Sequence, residues 1–143
     1  MNDLGHWENL TGLDITSELI HESLGFVYRI RGSNSGVPWC YIGRKQIWMK
    51  RGKHWHESNW REYTSSSTIV QGHCEGSESV YEILGVFTSK SALRYGETLA
   101  IVRAGTYCCL DGGSNFRLEP ARGVVRLDGH DQQQLKHLEE MFP

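Results

Sequence analysis

GFVYRIRGSNSGVPWCYIGRKQIWMKR, from Gly25 to Arg51, contains two apolar runs separated by a cluster of turn formers. Phe26 to Ile30 and Trp39 to Ile42 are rich in β-branched and aromatic residues, and Ser33, Asn34, Ser35 and Gly36 lie between them. The pattern predicts an antiparallel hairpin, with Pro38 at the start of its second strand or on an edge. A turn centred between Asn34 and Ser35 sets Tyr28 opposite Tyr41, and opposed residues of an antiparallel pair share a face. The two phenols then stand side by side, whereas a one-residue slip sends Tyr41 to the other face. Packing alone also supplies half-buried strand aromatics, so the pair by itself does not separate a site from a core.

A basic segment follows the hairpin. Arg44, Lys45, Lys50, Arg51, Lys53 and Arg61 stand against Glu57 alone, a local balance of +5 in a chain whose formal net charge is −2. A patch confined in this way suits phosphate, and a solvated helix face is the alternative. Trp48, Trp55 and Trp60 interleave with these charges and either stack on bases or anchor the segment on the core. Phenols and guanidinium groups converging on one surface suit the cutting of a phosphodiester.

The 143 residues, 38% of them hydrophobic, provide for one sizeable core, hence a single domain over 1–143. No apolar run approaches a membrane span and the N-terminus lacks a signal-peptide layout, so a cytoplasmic location is expected. Cys40, Cys74, Cys108 and Cys109 have no framework spacing and read as reduced thiols. A zinc site on His73, Cys74 and the Cys108–Cys109 pair is disfavoured by the lack of a CxxC.

Leu13, Ile15, Leu19 and Ile20 suggest a short strand or helix beneath the hairpin, capped by Ser17, with His6 and His21 as surface or packing residues. Thr64 to Thr68 form a turn whose hydroxyls could hold a phosphate. Gly72 to Ser79 read as a polar loop, and Ser79 to Phe87 as a third strand. Thr88 or Ser89 caps a helix running to about Arg103. Glu97 lies in it, a position that is ordinarily solvent-facing, beside Gly96. That glycine costs about 1 kcal/mol in a helix interior, tolerable if DNA or another backbone approaches there. Gly123 to Leu127 suggest a final strand, and Asp131 to Phe142 a closing helix with Leu135, Leu138 and Phe142 inward.

The succession of FVY, twelve residues, and YIG followed by Arg44 and Lys45 resembles the GIY-YIG nuclease signature, nearest to the phage SegE-like endonucleases. The Trp-x-x-Tyr-then-serines stretch at Trp60 to Ser67, the Tyr81 to Phe87 strand and the helix with Glu97 extend the resemblance over roughly Gly25 to Asn115. Phe26 replaces the first glycine of the motif. The resemblance implies an α/β (α+β) fold: a small, mainly antiparallel three-stranded sheet flanked by helices, with a C-terminal strand and helix added.

It further implies a metal-dependent, phage-encoded DNA endonuclease working in the host cytoplasm. Tyr28 would be the general base, with a pKa well below the free value of about 10, and Tyr41 would orient it or the attacking water. Arg51, on a helix after the second strand, would hold the scissile phosphate, with Arg44 assisting. Glu97 would bind one Mg²⁺ or Mn²⁺, and His54 or His56 would serve in proton transfer. If Trp60 to Tyr63 is instead the first helix, Arg61 and Tyr63 replace Arg51 and the histidines. Lys45, Lys50, Lys53, Arg61 and Asn115 are the expected DNA contacts. The competing reading is a module that binds nucleic acid or a host protein without cutting; monomer and homodimer both stay open.

Overall fold

The computed structural model describes residues 3–9, 15–34, 37–65, 68–75, 78–104 and 129–141. The chain enters through β1 (Trp7–Asn9) and α1 (Ser17–Glu22), and the expected hairpin follows as β2 (Gly25–Asn34) and β3 (Val37–Gln46). Its last pair is Asn34↔Val37, so Tyr28 faces Gly43 and Tyr41 faces Ile30. This corrects the expected opposition of the two tyrosines. The partner is displaced by two positions, an even number, so both phenols keep to one face and become diagonal neighbours.

The basic segment expected to be a helix is a two-stranded ribbon, β4 (Trp48–Arg51) and β5 (His54–Glu57), paired antiparallel. Gly52 lies in its turn at φ 61°, a conformation that glycine adopts without steric cost. A 3-10 turn at Trp60–Glu62 leads to α2 (Thr68–Glu75), whose last residues correct the expected polar loop from Gly72. Then come β6 (Val80–Phe87), α3 (Lys90–Ala104) and α4 (Gly129–Met141). The side chain of Ser89 accepts from Ala92 N at 3.2 Å and caps α3, whereas α1 is capped by Thr16 rather than Ser17. The strand expected at Gly123 to Leu127 lies outside the described residues.

The main sheet has four strands in the order β1-β6-β2-β3. β2, β3 and β6 pair antiparallel as expected, and β1, parallel to β6, adds a fourth strand that makes the sheet mixed rather than wholly antiparallel. The short, weakly patterned Trp7–Asn9 segment carries no periodic signal, and only its pairing to Tyr81–Ile83 makes it a strand.

Each face of the sheet buries its own cluster. Phe26, Tyr28, Ile30, Ile83 and Val86 pack with Trp7, Ile15, Ile20, Trp60 and Val70 on one face. Val27, Ile42 and Leu84 pack with Leu93 and Ala100 of α3 and Leu135 and Leu138 of α4 on the other. The β2–β6 register shifts between Val27 and Tyr28, and the extra residue on β6 keeps Leu84 and Val86 in opposite clusters.

Because β1 pairs only as far as Ile83, the end of β6 has backbone groups to satisfy. Gln134 Oε1 accepts from Val86 N at 3.0 Å, His130 Nε2 lies 3.0 Å from Val86 O, and the Asp131 carboxylate receives the amide and hydroxyl of Thr88. α4 is thus fastened by polar groups as well as by its leucines. Cys40 is disulfide-bonded, which corrects the expectation of four reduced thiols, and Cys74 is free. Cys108 and Cys109 lie outside the described residues. No helix among the described residues is long and apolar enough to cross a membrane.

Candidate functional site

The site wraps around β3, the edge strand of the main sheet. Residues of β3 alternate between faces. Tyr41, Gly43 and Lys45 share a face with Tyr28, while Arg44, opposite Val27, lies on the face covered by α3. Tyr28 is only 1% exposed, and its ring centroid is 6.2 Å from that of Tyr41 and 6.1 Å from that of Tyr63. Gly43 makes this packing possible. A Cβ there would fall 2.5 Å from Tyr28 Oη and 3.0 Å from Tyr41 Cε1, so the phenol of Tyr28 lies on bare backbone.

Ser65 completes the phenol cluster. It is buried, holds φ at 86°, and hydrogen-bonds through its side chain with both Tyr28 and Tyr41. A non-glycine residue in the left-handed region is uncommon and costs free energy, so the surroundings hold this hydroxyl in place. The sequence offered only an undifferentiated run of serines and threonines here, and nothing in that run marks Ser65 out. Lys45 Nζ sits 4.0 Å above the Tyr63 ring, and burial lowers its pKa.

On the other side of the edge strand, Arg44 Nη1 donates to Glu97 Oε1 at 2.6 Å. Glu97 is 8% exposed on α3, which corrects the solvent-facing position usual for a mid-helix glutamate. Its neighbour Gly96 accommodates a ring rather than DNA or another backbone, because a Cβ there would fall 2.6 Å from Phe87 Cζ. The two halves of the site sense each other. The charge of Glu97 raises the pKa of both phenols, and that of Arg44 lowers Tyr41.

Burial dominates the protonation of the phenols. It pushes Tyr28 well above 10, assisted by Tyr41, Tyr63 and Glu97 and opposed by the Ser65 hydrogen bond. Tyr41 is raised for the same first reason. The expected lowering of the Tyr28 pKa is therefore reversed: both phenols stand protonated at neutral pH and can donate hydrogen bonds.

Other expected site residues lie elsewhere. Arg51, His54 and His56 are on the ribbon, not on a helix beside Tyr28, and Lys50 and Lys53 accompany them. The Gly-Lys pair at 52–53 was the available signal for a hairpin turn. Arg61 is engaged in a structural cluster: it pairs with Glu57 at 3.0 Å and Asp3 at 3.1 Å and lies over the Trp60 ring. Tyr63, not His54 or His56, reaches the phenols. Asn115 lies outside the described residues. Among the described residues, no group of three or more His, Cys, Asp or Glu side chains could hold a metal ion.

No curated protein and no solved structure gives a significant match to the chain. A family match does exist: residues 7–107 match the family described as "Putative endonuclease segE, GIY-YIG domain". That span takes in β1, the hairpin with both phenols, the ribbon, Ser65 and the whole of α3, and the chain belongs to the SegE family of GIY-YIG domains.

Proposed function

We propose that the chain is a metal-dependent DNA endonuclease whose centre is the edge of β3. The observation that carries this reading is that Tyr28 and Tyr41 on one face of this edge strand and the Arg44–Glu97 pair on the other flank the same backbone, near enough for the charge of Glu97 to act on both phenols. Glu97 is a nearly buried carboxylate paired with Arg44, and one such oxygen ligand, completed by waters and a substrate phosphate, suits Mg²⁺ or Mn²⁺. A cation held by Glu97 would supply charge to polarise the scissile phosphate.

The remaining roles belong to side chains of this chain. Arg44, already on Glu97, is the guanidinium for the phosphate oxygens. Tyr41, partly exposed, orients the attacking water through its hydroxyl. Tyr28 is the proposed acceptor of the water's proton, which it can take only as the phenolate, after its own proton has been released to solvent. Burial opposes that step, and the Ser65 hydrogen bond favours it. Tyr63 and Lys45 close the phenol side of the site. Arg51, His56, Lys50 and Lys53 are assigned to DNA contact rather than chemistry, and Arg61 keeps its place in the cluster with Glu57 and Asp3. Asn115 retains its proposed place as a DNA contact from the family resemblance alone. The same resemblance supports a phage nuclease acting in the host cell cytoplasm.

A binding-only module is the second reading, favoured by one observation: protonated phenols and a closed Arg44–Glu97 pair bind without needing to cut. Plasmid nicking with Mg²⁺ or Mn²⁺ separates the two. Parent protein should nick, with Tyr28→Phe and Glu97→Ala reduced by at least about 10² in rate, the scale of general acid–base and electrostatic contributions. Mutants that nick as fast as the parent overturn the site, and a parent that cuts nothing favours the binding module.

A further inference from the structure

The three indoles of the basic segment have different environments. Trp60 is fully buried and donates to Glu57 Oε1 at 2.8 Å. Trp48 is half-buried and donates to the His21 carbonyl at 2.9 Å. Trp55 is 54% exposed, with Lys50 Nζ 5.9 Å from its ring centre. An indole left in water forfeits the burial that its area would provide. Anchoring therefore accounts for Trp60 and Trp48 and leaves Trp55 unexplained.

Pairing of Trp48 with Glu57 and of Lys50 with Trp55 puts these four residues on one face of the ribbon. Trp48 and Trp55 line an open cavity of about 380 Å³ together with His21, Glu22, Leu24 and Thr88, a size that suits a small planar group. Charge is divided around it. Glu22 is in the lining, whereas Lys50, Arg51 and Lys53 surround the exposed turn of the ribbon. A phosphate would be repelled inside the cavity and attracted outside it, whereas a neutral aromatic base carries no charge for Glu22 to repel.

We infer that this cavity is a stacking site for an unpaired DNA base, with Trp55 as the platform and the ribbon cations on the flanking phosphates. The inference rests on DNA being the substrate of the phenol centre, since the ribbon follows directly on the strand that carries Tyr41 and Arg44. It deepens that reading by naming the substrate form. In a duplex the faces of a base are covered by its neighbours, and an indole can stack only on a base that has left the helix or never paired. The protein should therefore prefer DNA with a flap or single-stranded stretch.

The test is fluorescence anisotropy in EDTA, where no cutting occurs, with a labelled single strand of about 16 nucleotides, its duplex, and a flapped duplex. Trp55→Ala should weaken the single strand and the flap about tenfold or more and the duplex little, while Trp55→Phe keeps most of the affinity. Lys50→Ala with Lys53→Ala should weaken all three and reduce the slope of log affinity against log salt by about 1.4 to 1.8. If Trp55→Ala binds every substrate as the parent does, the indole serves another partner, such as a protein surface, and the inference is wrong. An equal loss on the intact duplex also overturns it. Plasmid nicking run alongside keeps the two readings apart: a parent that shows the Trp55 preference but never nicks loses the nuclease and keeps the stacking site. A parent that nicks while its binding ignores Trp55 does the reverse.

Discussion

Replacing Gly43 by alanine tests the phenol cluster without touching a reacting group. Gly43 is not among the described residues with positive φ, so the backbone accepts alanine and any cost comes from the added methyl. That methyl would lie 2.5 Å from Tyr28 Oη and 2.7 Å from Tyr28 Cζ, where real Cβ atoms keep at least 3.0 Å and ordinary contacts begin at 3.4 Å. The phenol has to retreat by roughly 0.5 to 0.9 Å in a close-packed interior. Tyr28 is 1% exposed and hemmed in by Trp7, Phe26 and Tyr63. Overpacking of this kind costs about 1–3 kcal/mol of stability, and a misplacement approaching 1 Å costs on the order of 10² in rate. Urea melts give the first quantity and plasmid nicking the second. Parent midpoint together with parent rate in Gly43→Ala would refute the placement of Tyr28 over the edge strand.

Ser65 should separate strain from hydrogen bonding in urea melts: Ser65→Gly relieves the φ of 86° and should be more stable than Ser65→Ala by about 1 kcal/mol. An alanine variant as stable as the glycine one would contradict the strained conformation. Arg44→Ala leaves the Glu97 carboxylate without its guanidinium and should cost about 2 kcal/mol, less than a fully buried pair because Arg44 is 25% exposed. Adding Glu97→Gln should recover part of it, and strictly additive losses would argue that the pair is not coupled. Acid should act on stability through Glu57, whose pKa is held at about 2, against an ordinary 4.5, first by the Trp60 hydrogen bond and then by His21 and Arg61, while burial works the other way. A depressed carboxylate stabilises the fold above pH 4.5, and that contribution is lost as pH falls towards 2. Between those limits the parent should lose more stability than Glu57→Gln, and parallel pH–stability curves would remove Glu57 from the account.

What could be read from the sequence was whatever repeats locally. Runs rich in aromatic and β-branched residues marked the hairpin and β6, the Ser89 cap and leucine spacing marked α3, and Leu135 and Leu138 marked α4. The shared face of Tyr28 and Tyr41 was also legible, because parity survives a two-residue change of register while direct opposition does not. Only tertiary contacts decided the rest. β1 exists through its parallel partner, Gly96 is required by the Phe87 ring, and Ser65 is set apart from its neighbours by the phenols it bonds. The protonation of Tyr28 belongs here too. A sequence lists which charges are available, but burial among Trp7, Phe26 and Tyr63 removes the water that would stabilise a phenolate, and that desolvation outweighs the Ser65 hydrogen bond that favours one.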